Sequence, residues 1–210
     1  MTLRVLLADD HAVLRAGLRR LFEAAGLQVV GEAASGEQAY LMTAELRPDV
    51  LVMDLSMPGM GGIEAMRRVL AREPQSRVVV FSMHESATFA TQALRAGALG
   101  YVAKSAVADD LIAAVSAAAR GEVFVSAAVA QRIAATTSAP DSNPATRLSA
   151  REFEIFRLLA EGHDVDAIAG RLFISAKTVA NHQTLIKQKL GISTAVELVR
   201  MAIRHGIVEG

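Results

Sequence analysis

Short apolar runs and longer amphipathic stretches alternate along the first 120 residues. Runs at 4–8, 27–31, 50–54, 77–82 and 100–103 are bounded by turn residues and read as short strands buried on both faces. The stretches between them predict helices near 11–24, 36–46, 62–72, 86–96 and 107–119. Gly26 stands where the first helix must stop, and Ser35 with Gln38 makes a capping box for the second. Parallel neighbours need crossover helices, and crossovers are right-handed, so this alternation implies an α/β fold with a doubly wound parallel sheet of five strands. The common order at this size is 2-1-3-4-5, which sets strands one and three side by side at the switch point.

The pattern then changes. SAAVAQRIAATT, from Ser126, allows one further short helix, and SAPDSNPATR, with two prolines in a polar setting, reads as a linker. The remainder is helical throughout. Ser149 with Glu152 opens a helix that ends near Gly162, and Asp164 caps a second one running to about Leu172. Ser175 caps a third, stopped by Gly191, and Thr194 with Glu197 opens a fourth that ends before Gly206. A helix, a tight connection through Phe173 and Ile174, and a second capped helix make the layout of a helix-turn-helix. The expected division is 1–122 for the α/β domain, 123–146 for the connecting segment and 147–210 for a small all-α domain.

Composition narrows the class without naming it. The chain has 210 residues, 52% of them hydrophobic, no cysteine, and 22 basic against 22 acidic residues. That excludes a disulfide framework and a thiolate metal or redox site. The start is too short and too acidic for a signal peptide, and no apolar run approaches the ~20 residues of a bilayer span, so a soluble cytoplasmic protein with no membrane partner is expected. No acidic residue lies between Asp166 and Glu197, whereas Arg171, Lys177, Lys187 and Lys189 do, a bias that suits an anionic partner.

The candidate chemistry gathers at the strand ends. Asp54 closes the apolar run Val50–Met53, and Asp9 and Asp10 follow the first strand. In a 2-1-3-4-5 sheet these three carboxylates converge at the carboxyl edge. A hard divalent cation relieves their repulsion, and Mg²⁺ suits a site that keeps waters and takes phosphate oxygens. Ser82 ends the fourth strand and Lys104 follows the fifth, so a hydroxyl and an ammonium border the same crevice. A carboxylate so placed can accept a phosphoryl group as a covalent nucleophile. Singly, Ser82 is an ordinary strand-end serine and Lys104 an ordinary surface lysine; the set of five carries the reading.

The motifs LLADDH, VMDLSMPGM, VVVFSMH and GYVAKSA, in that order, resemble the receiver domain of two-component response regulators, whose fold is flavodoxin-like. The resemblance implies that Asp54 is the phosphoacceptor, served by a sensor histidine kinase or a small phosphodonor. It implies that Asp10, Asp54 and the backbone carbonyl of Ser56 ligate Mg²⁺ directly, with Asp9 assisting through water. Ser82 and Lys104 would hold the phosphoryl oxygens. Tyr101, a half-buried strand aromatic at rest, would be the rotameric switch. Ser56 and His84 fall at two variable positions that modulate dephosphorylation, and Ser105 stands where many receivers have proline.

In the third helix of the all-α domain, Val179, Ile186 and Leu190 share an inward stripe with His182, which reads as a packed histidine. The opposite stripe, including Lys177, Asn181, Thr184 and Lys187, has the residue types that contact phosphates and base edges. The stretch from LSARE through KLGI resembles the LuxR-type helix-turn-helix of NarL/FixJ-type response regulators. That resemblance implies double-stranded DNA as a partner, with Lys177, Thr178, Asn181, Thr184 and Lys187 at the contact. It also implies RNA polymerase as a partner and a phosphorylation-dependent homodimer through the fourth helix, with the first and fifth receiver helices as a second pairing face. Ala180 departs from the lysine many relatives carry. Under this reading the unphosphorylated receiver masks the recognition or dimer helix, and the chain is no enzyme beyond phosphorylation and dephosphorylation of Asp54. Two rivals remain at this point: an Asp-nucleophile phosphohydrolase, and a DNA-binding regulator that acts without phosphate.

Overall fold

The computed structural model describes residues 2–57, 59–136 and 143–208. Pro58, Thr137 at the end of the SAAVAQRIAATT stretch, and residues 138–142, half of the two-proline segment, lie outside the described residues. The order is β1 (Arg4–Ala8), α1 (Ala12–Ala24), β2 (Gln28–Ala33), α2 (Gly36–Leu46), β3 (Val50–Met53), α3 (Gly62–Arg72), β4 (Val78–Ser82), α4 (Ala87–Arg95), β5 (Gly100–Ala103) and α5 (Ala108–Ala119). It continues with β6 (Phe124–Val125), α6 (Ala127–Thr136), α7 (Pro144–Arg147), α8 (Ala150–Ala160), α9 (Val165–Leu172), α10 (Ala176–Leu190) and α11 (Ala195–Arg204).

The strands form one parallel sheet in the order β2-β1-β3-β4-β5-β6. The expected five strands are present, and a sixth is added. Phe124 N–H donates to the Leu99 carbonyl (2.9 Å) and Ser126 N–H to that of Tyr101 (3.1 Å), which lays β6 along β5. Two residues are too few to show a period, so only backbone pairing reveals this strand.

Each central strand sends alternate side chains to opposite faces. Val5, Leu7, Val50, Val52 and Val79 pack under α1 and α5 with Leu18, Phe22, Leu111 and Val115. Leu6, Ala8, Leu51, Met53 and Val80 face the other way, and their cluster continues without a break into the helical domain through Phe89, Phe153 and Phe156. One core therefore joins the α3–α4 side of the α/β domain to the helices of the second half. Gln92 Nε2 donates to the Leu148 carbonyl (3.0 Å), Arg95 Nη1 to that of Thr146 (2.9 Å) and Thr88 Oγ1 to that of His205 (3.1 Å).

The helical domain is built by its caps. Ser149 and Thr194 each close a full capping box, with Glu152 and Glu197 as partners. Asp164 accepts from Ala167 N–H, and Ser175 from Thr178 N–H. Among the described residues, no helix is long and apolar enough to cross a membrane.

Candidate functional site

Register alone brings the site together. Ala8 pairs with Met53, so the next residues of β1 and β3, Asp9 and Asp54, emerge side by side. Ser82 pairs with Ala103, which sets Lys104 beside them. Asp54 N–H donates to the Ala8 carbonyl (2.8 Å) and Lys104 N–H to that of Ser82 (2.8 Å), extending the ladder through the site.

The side chains close the arrangement. Lys104 Nζ donates to Asp9 Oδ2 (2.6 Å) and Asp54 Oδ2 (2.8 Å), and both carboxylates are 2% exposed. Burial works against the Lys104 ammonium, but its bonds to Asp54 and Asp9 outweigh that and hold its pKa above the ordinary value. The other oxygen of Asp54 accepts from Ser56 N–H (3.2 Å). Asp10 is more open, and its Oδ1 lies 2.9 Å from His11 Nδ1, which is also 3.1 Å from Asp9 Oδ1. Asp9, Asp10, His11 and Asp54 each offer a donor atom within 4.8 Å of the others. Three carboxylates, the outermost of them open to solvent, fit a hard cation that needs oxygen ligands and access to water.

Ser82 and Tyr101 are wholly buried. Tyr101 was expected half-buried; it sits instead inside the core that includes Phe89, Val129 and Phe153. Its hydroxyl donates to the His84 carbonyl (2.5 Å), and burial pushes the phenol pKa up, so it stays a donor. His84 N–H donates to Ser82 Oγ (3.2 Å), and His84 Nε2 lies 3.0 Å from Ser56 Oγ. Burial lowers the His84 imidazole pKa, with Arg157 adding to the effect and Asp54 opposing it. Ser105 Oγ donates to Glu85 Oε1, tying the loop after β5 to the loop after β4.

Two residues with no sequence signal belong to this neighbourhood. Arg15 Nη1 donates to the Asp9 carbonyl (2.5 Å) while its Nε reaches Glu32 (3.3 Å), pinning the end of β1 to β2. Glu154 of α8 stands against the loop between β3 and α3: its Oε1 lies 1.8 Å from where a Cβ on Gly61 would be. Burial raises its carboxyl to about 7, against the pull of Arg151 and Arg157.

In the helical domain, α9 turns into α10 through Phe173, held at φ +52°. Val179, Ile186 and Leu190 are buried as the stripe requires, and Lys177, Asn181 and Thr184 are exposed, with Thr178 and Lys187 intermediate. Thr178 Oγ1 shares a hydrogen bond with Ser175 Oγ (2.8 Å), and Thr184 Oγ1 donates to the Ala180 carbonyl (3.1 Å). The expected masking of this helix is not what is observed. Among the described residues the α/β domain packs on α7 and α8, and Thr88 reaches the carboxyl end of α11, whose Val196 and Ile203 remain exposed.

The comparisons match this geometry at both ends of the chain. The family described as "Response regulator receiver domain" matches residues 5–116, and "Bacterial regulatory proteins, luxR family" matches residues 146–202. The response regulator GacA of Pseudomonas aeruginosa is 39% identical over 210 residues, covering 99% of this chain and 98% of that one. The response regulator UvrY of Escherichia coli is 35% identical over 208 residues, covering 98% and 95%. Among solved structures, RcsB of Salmonella enterica serovar Typhimurium, bound to a promoter with the phosphomimetic BeF3−, superposes with a TM-score of 0.74 at 29% identity. That match covers 96% of this chain and 98% of the other. Four strand tips meeting over buried carboxylates, joined to a capped helix-turn-helix and matched end to end by these relatives, place the chain among the two-component response regulators with a LuxR-type DNA-binding domain.

Proposed function

We propose that this is a phosphorylation-controlled transcription regulator: Asp54 accepts a phosphoryl group from a sensor histidine kinase, and α10 reads duplex DNA. The Lys104 bridge between Asp9 and Asp54 carries the reading, because it sets one buried ammonium beside the carboxylate that must act as nucleophile. In the transfer, an Asp54 oxygen bonds to phosphorus as the bond to the donor breaks. Lys104 and the Ser82 hydroxyl then hold phosphoryl oxygens. Asp10, Asp54 and the Ser56 carbonyl would hold Mg²⁺, with Asp9 helping through water; the ion supplies neutralisation of the phosphoryl charge. Tyr101 follows Ser82 as the switch. The division into 1–122, 123–146 and 147–210 is part of the same proposal, as are a cytoplasmic setting and contact with RNA polymerase.

Lys177, Thr178, Asn181, Thr184 and Lys187 are assigned to the DNA contact. Dimerisation is assigned to α11, whose exposed Val196 and Ile203 suit a two-fold partner and pseudo-palindromic half-sites. Acetyl phosphate with Mg²⁺ is expected to label the wild type and leave Asp54→Asn unlabelled; equal labelling of both overturns the assignment. The open face of α10 favours one other reading, in which DNA is bound without phosphate. Genome-wide mapping of bound DNA with Asp54 intact and with Asp54→Asn separates the two, since identical maps support the second.

A further inference from the structure

We propose that His84 is the residue through which the phosphorylation site holds the output domain, by way of an aromatic stack that reaches α8. This rests on the reading of Asp54 as phosphoacceptor. The His84 ring lies on Phe89 with centroids 3.9 Å apart and planes 7° from parallel. Phe89 in turn meets Phe153 of α8 edge to face, at 5.2 Å and 86°. The chain of contact therefore runs from the loop after β4, through α4, into the helical domain.

The hydrogen bonds of His84 lead back to the site. Its backbone N–H is bound to Ser82 Oγ, its carbonyl to the Tyr101 hydroxyl and its Nε2 to Ser56 Oγ. Swinging Ser82 Oγ towards a phosphoryl group on Asp54 carries it away from His84 N–H, whose bond to it is already long at 3.2 Å. Tyr101 cannot leave its buried position while its hydroxyl stays on the His84 carbonyl. Phosphorylation thus removes two restraints on one backbone unit, and the ring that unit carries is the first member of the stack. The next residue of α8, Glu154, presses against Gly61 on the loop after β3. Two consecutive residues of α8 are therefore tied to the surroundings of Asp54, Glu154 directly through the loop after β3 and Phe153 through Phe89 of α4, and release of α8, with α10 already open, becomes the switched event.

The absence of cysteine allows spin labels at Glu45→Cys and Gln188→Cys, both exposed, without background. The full chain carries them, and pulsed electron resonance reads the distance between domains. Beryllofluoride with Mg²⁺ is expected to move the wild type from one short distance to a broad, longer population. His84→Ala is expected to shift the open-to-closed ratio about two- to tenfold with no mimic present, the effect of losing one aromatic pair of ordinary strength. His84→Phe keeps the stack and is expected to stay closed at rest. A resting distribution in His84→Ala equal to wild type overturns the proposal, and so does opening of His84→Phe equal to that of His84→Ala. If the wild type takes no phosphoryl group on Asp54, the proposed function fails, while the mimic-free arms still decide the role of His84. If Asp54 is labelled and the wild type stays closed, the proposal falls and the phosphoacceptor stands.

Discussion

Gly62 has no room for a side chain. A Cβ there would stand 2.2 Å from the Asp54 carbonyl oxygen and 2.6 Å from Leu55 Cα, so the first residue of α3 must let the loop that presents Asp54 pass against it. Gly62→Ala is expected to cost about 1–3 kcal/mol in urea unfolding, the usual penalty for overpacking where backbone has to give. Lys104→Met should also lower stability in metal-free buffer, because it leaves Asp9 and Asp54 facing each other without their shared ammonium. Added Mg²⁺ should then restore more stability to the variant than to the wild type; no difference in thermal melts would separate the cation site from these carboxylates. Asp9, Asp10, Asp54, Ser82 and Lys104 were legible in the sequence because each is a polar residue at the end of an apolar run. Arg15 and Glu154 were not. Beside their ion pairs with Glu32 and Arg151, Arg15 reaches a backbone carbonyl and Glu154 the space over a glycine, and neither of those two contacts leaves a mark in residue type or spacing.

At the scale of elements, capping chemistry made the helical half readable. Ser35, Ser149, Asp164, Ser175 and Thr194 all accept the backbone bond their positions imply. Thr194→Ala is expected to lower the stability of the chain by about 1 kcal/mol, the ordinary worth of such a cap, as read from denaturant midpoints. Dimer formation should weaken with it, since α11 carries the exposed Val196 and Ile203. The elements the sequence hid are the short ones. α7 is four residues inside a proline-bearing polar segment, and β6 is two residues whose only signature is a hydrogen-bonded neighbour. β2 runs on to Ala33 where the pattern ends at Gly31, because its partner Ala8 in β1 extends the ladder.

For the molecule as a whole, the relation between its halves was the least legible part. Phe89, Phe153 and Gly61 look like an ordinary helix aromatic, another helix aromatic and a turn glycine, and the contact they make across some sixty to ninety positions has no periodicity to betray it. That interface also carries a proton-linked term. Glu154 has its carboxyl raised from 4.5 to about 7 while buried, so the packed form holds a proton that the solvated form has released. Its contribution is complete below pH 4.5 and disappears as the pH climbs to about 7. Stability measured across that window should fall more steeply for the wild type than for Glu154→Gln; parallel curves would show that the carboxyl does not titrate there.

The outward face of α10 bears on timing. Lys177, Asn181 and Thr184 point away from the protein while the receiver is docked on α7 and α8. On the proposed DNA contact, chains awaiting a signal would touch phosphates along any duplex, weakly and with a strong dependence on salt. The chromosome becomes a reservoir along which they slide and hop before the stimulus comes. Under that proposal promoter search would be under way in advance, and the lag after phosphoryl transfer would be set by release of α8 and the joining of two neighbouring chains.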